Sequence, residues 1–410
     1  MCQDVVIFHI DVNSAYLSWS ALKKLESGAK VDLRNIPSII GGDMEARHGV
    51  VLAKSIPAKA FHVTTGEPIV HAFRKCPHLV MEAPDHALYH RRSKELMGFL
   101  SNICPDIEQV SVDECYMNYT PVAGRYGNPV AAATHMKDSI LEKFGYTVNI
   151  GISDRKVLAK MASDFKKPNL VHTLFHNEIR EKMWGLPVSS LYMCGRSSME
   201  TLRKLEILTI GDLAQASRDI LASHLKSHGI TLWEYANGID TSHVVTAPVD
   251  AKGIGNSITL KEDACTKEEA YRTLLSLAES VAGRLRESRL LAGMVSTEIK
   301  YSNFRSVSHQ ATLATPTCTT NAVYEMACRL FDELWNGAPI RLLGIRTSKL
   351  ASREEPMQLS LFDLNAAQKI QPPSEKQQKL DCALDSIRKK YGAGSIVRGS
   401  LLSPKKENGE

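Results

Sequence analysis
Apolar and polar positions recur along this chain with two periods, and the places where one gives way to the other outline its elements. Val5-Val6-Ile7-Phe8-His9-Ile10 is an apolar run broken by one histidine, long enough for a strand buried on both faces, and it ends on a single carboxylate, Asp11. From Ser14 to Leu25 the apolar residues Ala15, Leu17, Trp19, Leu22 and Leu25 predict a helix. Leu88, Leu96, Phe99 and Leu100 predict another over residues 85–103, Pro129 to Phe144 a third, and Thr147 to Ile152 a strand. Between these helices, Val110 to Tyr116 is a run of strand-forming residues holding two adjacent carboxylates, Asp113 and Glu114. Adjacent strand residues face opposite sides, so the two can share one ion only at a strand end or a bulge. The whole predicts an α+β sheet with helices against one face.

The second half has its own rhythm. Leu186 to Leu213 is expected to form short helices joined by tight turns, and Leu232 to Asp240 a helix stopped by Gly238. Thr241 to Lys252 is a polar, proline-containing linker. Beyond it the pattern predicts strand 254–260, helix 267–288, strands 294–301 and 307–313, helix 321–336 and strand 341–349, a β-α-β-β-α-β unit. After Ala351 the composition turns polar and disorder is expected. Within that tail lie the apolar peptide Gln358-Leu359-Ser360-Leu361-Phe362-Asp363 and an amphipathic helical pattern from Lys376 to Tyr391.

Composition narrows the class. A chain of 410 residues exceeds one ordinary core, so two to four domains are expected. Hydrophobic residues at 43% with 23% charged describe a soluble globular protein; no apolar run reaches membrane-spanning length and the N-terminus lacks a signal-peptide layout, so a cytoplasmic location is expected. Nine scattered cysteines, never in Cys-x-x-Cys spacing, indicate reduced thiols, not disulfides or zinc. His62, His71, His78, His86 and His90 crowd together without a recognised ligand spacing and are taken as surface residues. With a net charge of only +5, any nucleic-acid contact must come from local clusters.

An acidic pair alone is ordinarily a solvated loop. A fold that brings Asp11 beside Asp113 and Glu114, however, builds an all-oxygen site of the kind that suits Mg²⁺, and two such ions would clamp the attacking and leaving oxygens of a phosphoryl displacement.

Three blocks, Ile10-Asp11-Val12-Asn13-Ser14-Ala15-Tyr16, Ser111-Val112-Asp113-Glu114 and Gly151-Ile152-Ser153-Asp154-Arg155-Lys156-Val157-Leu158-Ala159-Lys160, resemble in order and spacing the sequence blocks of the Y-family (translesion) DNA polymerases of the bacterial DinB and UmuC type. The resemblance implies a right-hand polymerase: palm over 1–25 and 79–170, fingers over 26–78, helix-hairpin-helix thumb over 171–240, linker 241–252, little finger 253–350 and a flexible tail from 351. It implies two Mg²⁺ held by Asp11, Asp113, Glu114 and the Val12 carbonyl. Asn13, neutral where many members carry aspartate, is not expected to be a ligand. Tyr16 takes the place of the steric gate against ribose, Lys160 that of a lysine on the β and γ phosphates, and Lys59 that of an arginine on the triphosphate, without its bidentate fork. Ile56 replaces a tyrosine and is expected only to pack; Lys54 is a weaker phosphate candidate. Gly195 stands at the thumb hairpin facing a DNA phosphate, and Lys252, Arg305, Arg346 and Lys349 are expected to touch DNA backbone without reading sequence. Gln358, Leu359, Leu361 and Phe362 resemble the motif that docks on the bacterial sliding clamp.

The implied activity is template-directed addition of deoxynucleotides to a primer by a low-fidelity, proofreading-free monomer acting in DNA damage tolerance. Two competitors are a catalytically silent clamp-bound DNA-binding protein and a palm-fold nucleotidyl cyclase; the intact carboxylate set opposes the first, the little finger and clamp peptide the second.

Overall fold
The computed structural model describes residues 5–42, 49–247, 250–353, 375–392 and 394–401, which divide into two compact units meeting in sequence at residues 248–249. The first unit is built on a five-stranded sheet. In chain order it contains β1 (Ile7–Val12), α1 (Ala15–Glu26), β2 (Ser38–Gly41), β3 (Val51–Lys54), α2 (Ile56–Ala60), α3 (Ile69–Lys75), β4 (Val80–Glu82), α4 (His86–Ile103), β5 (Ile107–Gln109), β6 (Glu114–Asn118), α5 (Ala123–Tyr126), α6 (Pro129–Phe144), β7 (Val148–Ser153), α7 (Lys156–Ser163) and β8 (Val171–Thr173). The sheet order is β5-β6-β1-β7-β8.

Alternation along β1 sorts its neighbours. Phe8, Ile10 and Val12, with Val148, Ile150 and Ile152 of β7, pack against Trp19, Leu88, Leu96 and Ile140 from α1, α4 and α6. Ile7, His9 and Asp11 project to the opposite face, where Ile7 meets Ala159 of α7 and His9 Nδ1 meets Ser163 Oγ at 2.7 Å. Helices thus cover both faces, not the single face expected, because α7 folds back onto β7. Gly151 permits this approach: a Cβ there would lie 2.0 Å from the Ala159 carbonyl oxygen.

The fingers segment forms a separate three-stranded sheet, β3-β2-β4, over Ile39, Val51, Ile69 and Ala72. The thumb segment holds α8 (Ile179–Lys182), α9 (Arg196–Lys204), α10 (Ile210–Gln215) and α11 (Arg218–Ala236), the last bent at Lys226. Gly238, at φ +71°, follows α11 as the expected helix stop.

The second unit has the expected β-α-β-β-α-β order: β9 (Gly253–Ala264), α12 (Lys267–Glu287), β10 (Leu290–Tyr301), β11 (Ser306–Thr317), α13 (Thr320–Leu334) and β12 (Ile340–Ser352). All pairings in its sheet, β11-β10-β12-β9, are antiparallel. Leu274, Val281, Val323 and Phe331 of the two helices bury one face against Val295, Ile299, Leu343 and Ile345.

Within the tail expected to be disordered, the helical pattern from Lys376 to Tyr391 forms α14 (Glu375–Tyr391), which docks on this unit together with residues 394–401. It docks by charge, contrary to its apolar pattern. Arg286 holds Asp385 at 2.6 Å and Asp381 at 3.4 Å, Asp381 accepts from the Thr320 amide, and Glu279 takes Arg388 and Arg398. Leu380 and Ile387 stay exposed. The described cysteines are all free, five of them buried, and no described helix is long and apolar enough to cross a membrane.

Candidate active site
The acidic stretch is not one strand. Residues 110–113 turn between β5 and β6, because the Val110 and Ser111 amides both donate to the Glu114 carbonyl oxygen. Asp113 therefore sits at a strand end, the condition the spacing imposed. Glu114 is the register partner of Asp11 across the β1–β6 pair, and the Val12 amide donates to the Asp113 carbonyl oxygen at 3.1 Å. Two strand ends thus place Asp11, Asp113 and Glu114 together.

The Asp11 and Glu114 side chains are held by cations. Lys160 Nζ donates to Glu114 Oε1 at 2.6 Å, lies 3.2 Å from Asp164 and 4.0 Å from Asp11. Lys167 Nζ donates to Asp11 Oδ2 and also meets Asp164 at 2.9 Å. Burial pushes the Asp11 carboxyl up to about 6, although Lys167 and Lys160 pull the other way. Burial pulls both lysines down, but the carboxylates outweigh it and hold each ammonium above its ordinary pKa. Among the described residues no three His, Cys, Asp or Glu side chains are gathered for a metal ion. The donor set nonetheless fits a hard divalent cation: Asp11, Val12 and Asp113 line one cavity with oxygen donors, and two ammonium groups already stand where positive charge is favoured.

That cavity, of about 960 Å³, is walled by Tyr16, Lys54, Ser55, Ile56, Lys59 and Lys167 as well. Tyr16 lies flat on Tyr89, ring centroids 4.2 Å apart. Lys59 faces the cavity with no ion-pair partner among the described residues that would hold it back, whereas Lys54 Nζ is committed to the Val63 carbonyl oxygen at 2.6 Å. Ile56, expected to pack, is 64% exposed on the cavity wall. Lys160 does not line the cavity; it stands behind the carboxylates, 9% exposed. Lys167, not Lys160, lines the cavity beside the carboxylates, a role that the three sequence blocks do not assign to it. Its signal was a lysine directly before Pro168, since the turn it occupies is braced by Asn13 Oδ1, which accepts from the Asn169 amide, and by Asn149, which accepts from Leu170. Asn13 is thereby committed to backbone and to Asn149, in keeping with a non-ligand.

Gly195 precedes α9 in extended conformation, and no side chain caps that helix; Arg196 beside it is exposed and paired with Glu200. In the second unit, Arg346 is exposed on the sheet face away from the helices, between Ser296 and Gly255, and Lys349 reaches Thr312 on β11. Lys252 precedes β9 at that same end of the sheet, since Gly253 pairs with Ser348. Arg305 lies in the β10–β11 turn at the other end, apart from these three. Gln358, Leu359, Leu361 and Phe362 lie outside the described residues.

Comparison with known proteins places this geometry. Residues 10–164 match the impB/mucB/samB family and residues 251–361 the C-terminal domain of that family. A DNA polymerase IV of Clostridium acetobutylicum is 43% identical over 97% of this chain and 98% of its own, and one of Acetivibrio thermocellus 35% identical over 97% of each. The DNA polymerase IV 1 of Bacillus subtilis is 34% identical over 97% of this chain and 93% of its own. The solved structure of a Y-family DNA polymerase chimera shares the fold, with a TM-score of 0.73 over 85% of this chain and 99% of its own at 18% identity. Two family models in order and a relative 43% identical over 97% of the chain leave one assignment: the chain belongs to the impB/mucB/samB family, with a Y-family polymerase fold.

Proposed function
We propose that this chain is a translesion DNA polymerase, adding deoxynucleotides to a primer 3′ end on a DNA template. The observation that carries the reading is the cavity that Asp11, Val12 and Asp113 share with Tyr16, Lys59 and Lys167. An incoming deoxynucleoside triphosphate would set its sugar over Tyr16, whose ring leaves no room for a 2′-hydroxyl, and its phosphates toward Lys167 and Lys59. Lys160 holds Glu114 in place and offsets the charge of the acidic cluster from behind. Asp11, Asp113, Glu114 and the Val12 carbonyl would hold the divalent metal, read here as two Mg²⁺ ions. A metal held by these groups would supply Lewis acidity for the primer hydroxyl and positive charge for the departing pyrophosphate.

The palm, fingers, thumb, linker and little finger are divided as the sequence places them. The open face of the little-finger sheet, with Lys252, Arg346 and Lys349, and the thumb amides near Gly195 would grip the DNA backbone; Arg305 would contribute from the far hairpin. Residues 358–362 are assigned to the sliding clamp, and the chain is read as a cytoplasmic monomer.

Primer extension on undamaged and abasic templates, comparing the wild type with Asp113→Ala, tests the reading. Distributive extension abolished by the substitution is expected; extension that survives it would overturn the assignment of the site. Deleting residues 358–362 should remove stimulation by the clamp and leave basal extension intact.

A further inference from the structure
Ser111 sits two residues before Asp113, in the turn that carries it. Its hydroxyl oxygen accepts from the Asp113 amide at 3.2 Å and from the Glu114 amide at 3.0 Å. With both lone pairs taken, the hydroxyl has one proton left to place, and the group beside it is Asp113 Oδ1 at 2.6 Å. One oxygen of Asp113 is thereby fixed to the turn, and the carboxylate is presented to the cavity it lines. The turn itself is held from outside. Gln109 Nε2 donates to the Ser111 carbonyl oxygen at 2.8 Å and to Ser93 Oγ at 3.0 Å, and Ser93 is buried on α4. A relay of polar contacts therefore runs from the palm helix to the acidic turn.

We propose that Ser111 is a positioning residue for the divalent metal, acting through Asp113, with Gln109 and Ser93 fixing the turn from which it acts. Hydrogen bonds to a ligating carboxylate restrict its orientation, and loss of such a partner lowers metal affinity about 10- to 100-fold. Neither Asp11 nor Glu114 has an equivalent: both are oriented by lysines from a distant segment, not by their own turn. The inference rests on the metal-binding reading of Asp113 given above.

The test is a Mn²⁺ titration of the full chain, following free Mn²⁺ by electron paramagnetic resonance, in the presence of a primer-template blocked at its 3′ end. Ser111→Ala should weaken binding about 10- to 100-fold while the KM for nucleotide stays near the wild-type value, and Ser111→Thr, which keeps the hydroxyl, should restore it. Asp113→Asn should weaken binding too, and adding Ser111→Ala to it should cost little more. If the hydroxyl only braces the backbone, the double substitution will lose further affinity, because the two amides lose their acceptor in either background. That result, or Mn²⁺ binding unchanged in Ser111→Ala, overturns the proposal. Should Asp113→Asn itself leave binding untouched, the metal-site reading fails and takes this inference with it.

Discussion

The ring of Tyr16 rests on that of Tyr89 with centroids 4.2 Å apart and planes 7° from parallel. Tyr89 is in turn 1% exposed and bonded through its hydroxyl to Ser20, so the Tyr16 ring is backed by a fixed aromatic platform. Tyr16→Ala should admit ribonucleotides. Tyr89→Leu keeps an apolar side chain under Tyr16 and removes the stack; such pairs contribute about 0.5–1.5 kcal/mol, so deoxyribose selectivity should fall roughly 2- to 10-fold. Single-nucleotide incorporation of paired deoxy- and ribonucleotides measures both, and unchanged selectivity in Tyr16→Ala removes the gate.

Lys160 and Lys167 divide one task between them. Lys167 faces the cavity, so Lys167→Ala should act on nucleotide binding, removing a charge-assisted contact of about 1.5–3 kcal/mol and lowering kcat/KM roughly 10- to 150-fold. Lys160 is buried against Glu114, so Lys160→Ala should lower the thermal midpoint and kcat and leave KM closer to normal. Steady-state kinetics beside thermal unfolding separate the two. A KM effect confined to Lys160 would reverse the assignment.

Much of this was legible in the sequence, and the failures have physical causes. Strands β1 and β7, helices α1, α4 and α6 and the whole little-finger order follow from periodicity, because each element buries a regular stripe. The acidic turn reads as strand because Val110 and Val112 are good strand formers, whereas the hydrogen bonds that close it run from the Val110 and Ser111 amides to the Glu114 carbonyl oxygen. Lys160 was singled out and Lys167 was not, for a different reason. Helical spacing put Lys160 on a readable face, but the side chain that faces the cavity follows the helix, in a turn shaped by Asn13 and Asn149 from distant strands. In α14 the apolar positions drew the eye, while the fold uses charges whose partners lie about a hundred residues away in sequence, a separation no local pattern reports.

Asp11 gives the molecule a pH signature. Its carboxyl, ordinarily at 3.8, is pushed by burial to about 6 in the folded chain. A group that holds its proton more tightly when folded adds stability below the ordinary value and loses that contribution as pH rises through about 6. Chemical denaturation of the wild type should therefore show a component of stability that declines between about pH 4 and 6, and Asp11→Asn should lack it. Parallel profiles for the two proteins would count against the burial argument.

Gly151 tests how closely α7 must lie on β7. A Cβ would meet the Ala159 carbonyl oxygen at 2.0 Å and the Ser163 nitrogen at 2.4 Å, both backbone atoms that no side-chain rotation relieves. Gly151→Ala should push α7 outward, and with it Lys160 and the His9–Ser163 contact. Overpacking of this kind costs about 1–3 kcal/mol, so a lowered thermal midpoint with reduced extension is expected. A variant as stable and active as the wild type would mean the helix has room to slide.

Asp381 is the most buried member of the charge network that docks α14: it is 1% exposed, accepts from the Thr320 amide at the start of α13, and faces Arg286 and Arg398. Among the described residues Arg286, 8% exposed, is left with only Asp385 as a carboxylate partner once Asp381 is neutralised. Breaking a buried pair on one side costs about 3–5 kcal/mol, and the exposed Leu380 and Ile387 add little apolar burial to compensate. Asp381→Asn should therefore release residues 375–391 while the little-finger sheet stays intact. Hydrogen exchange measured by mass spectrometry should show that segment losing protection with β10 and β12 unchanged, and in the wild type added salt should lower protection in the same segment first. Protection retained in the variant would mean that α14 is held by contacts other than its charges.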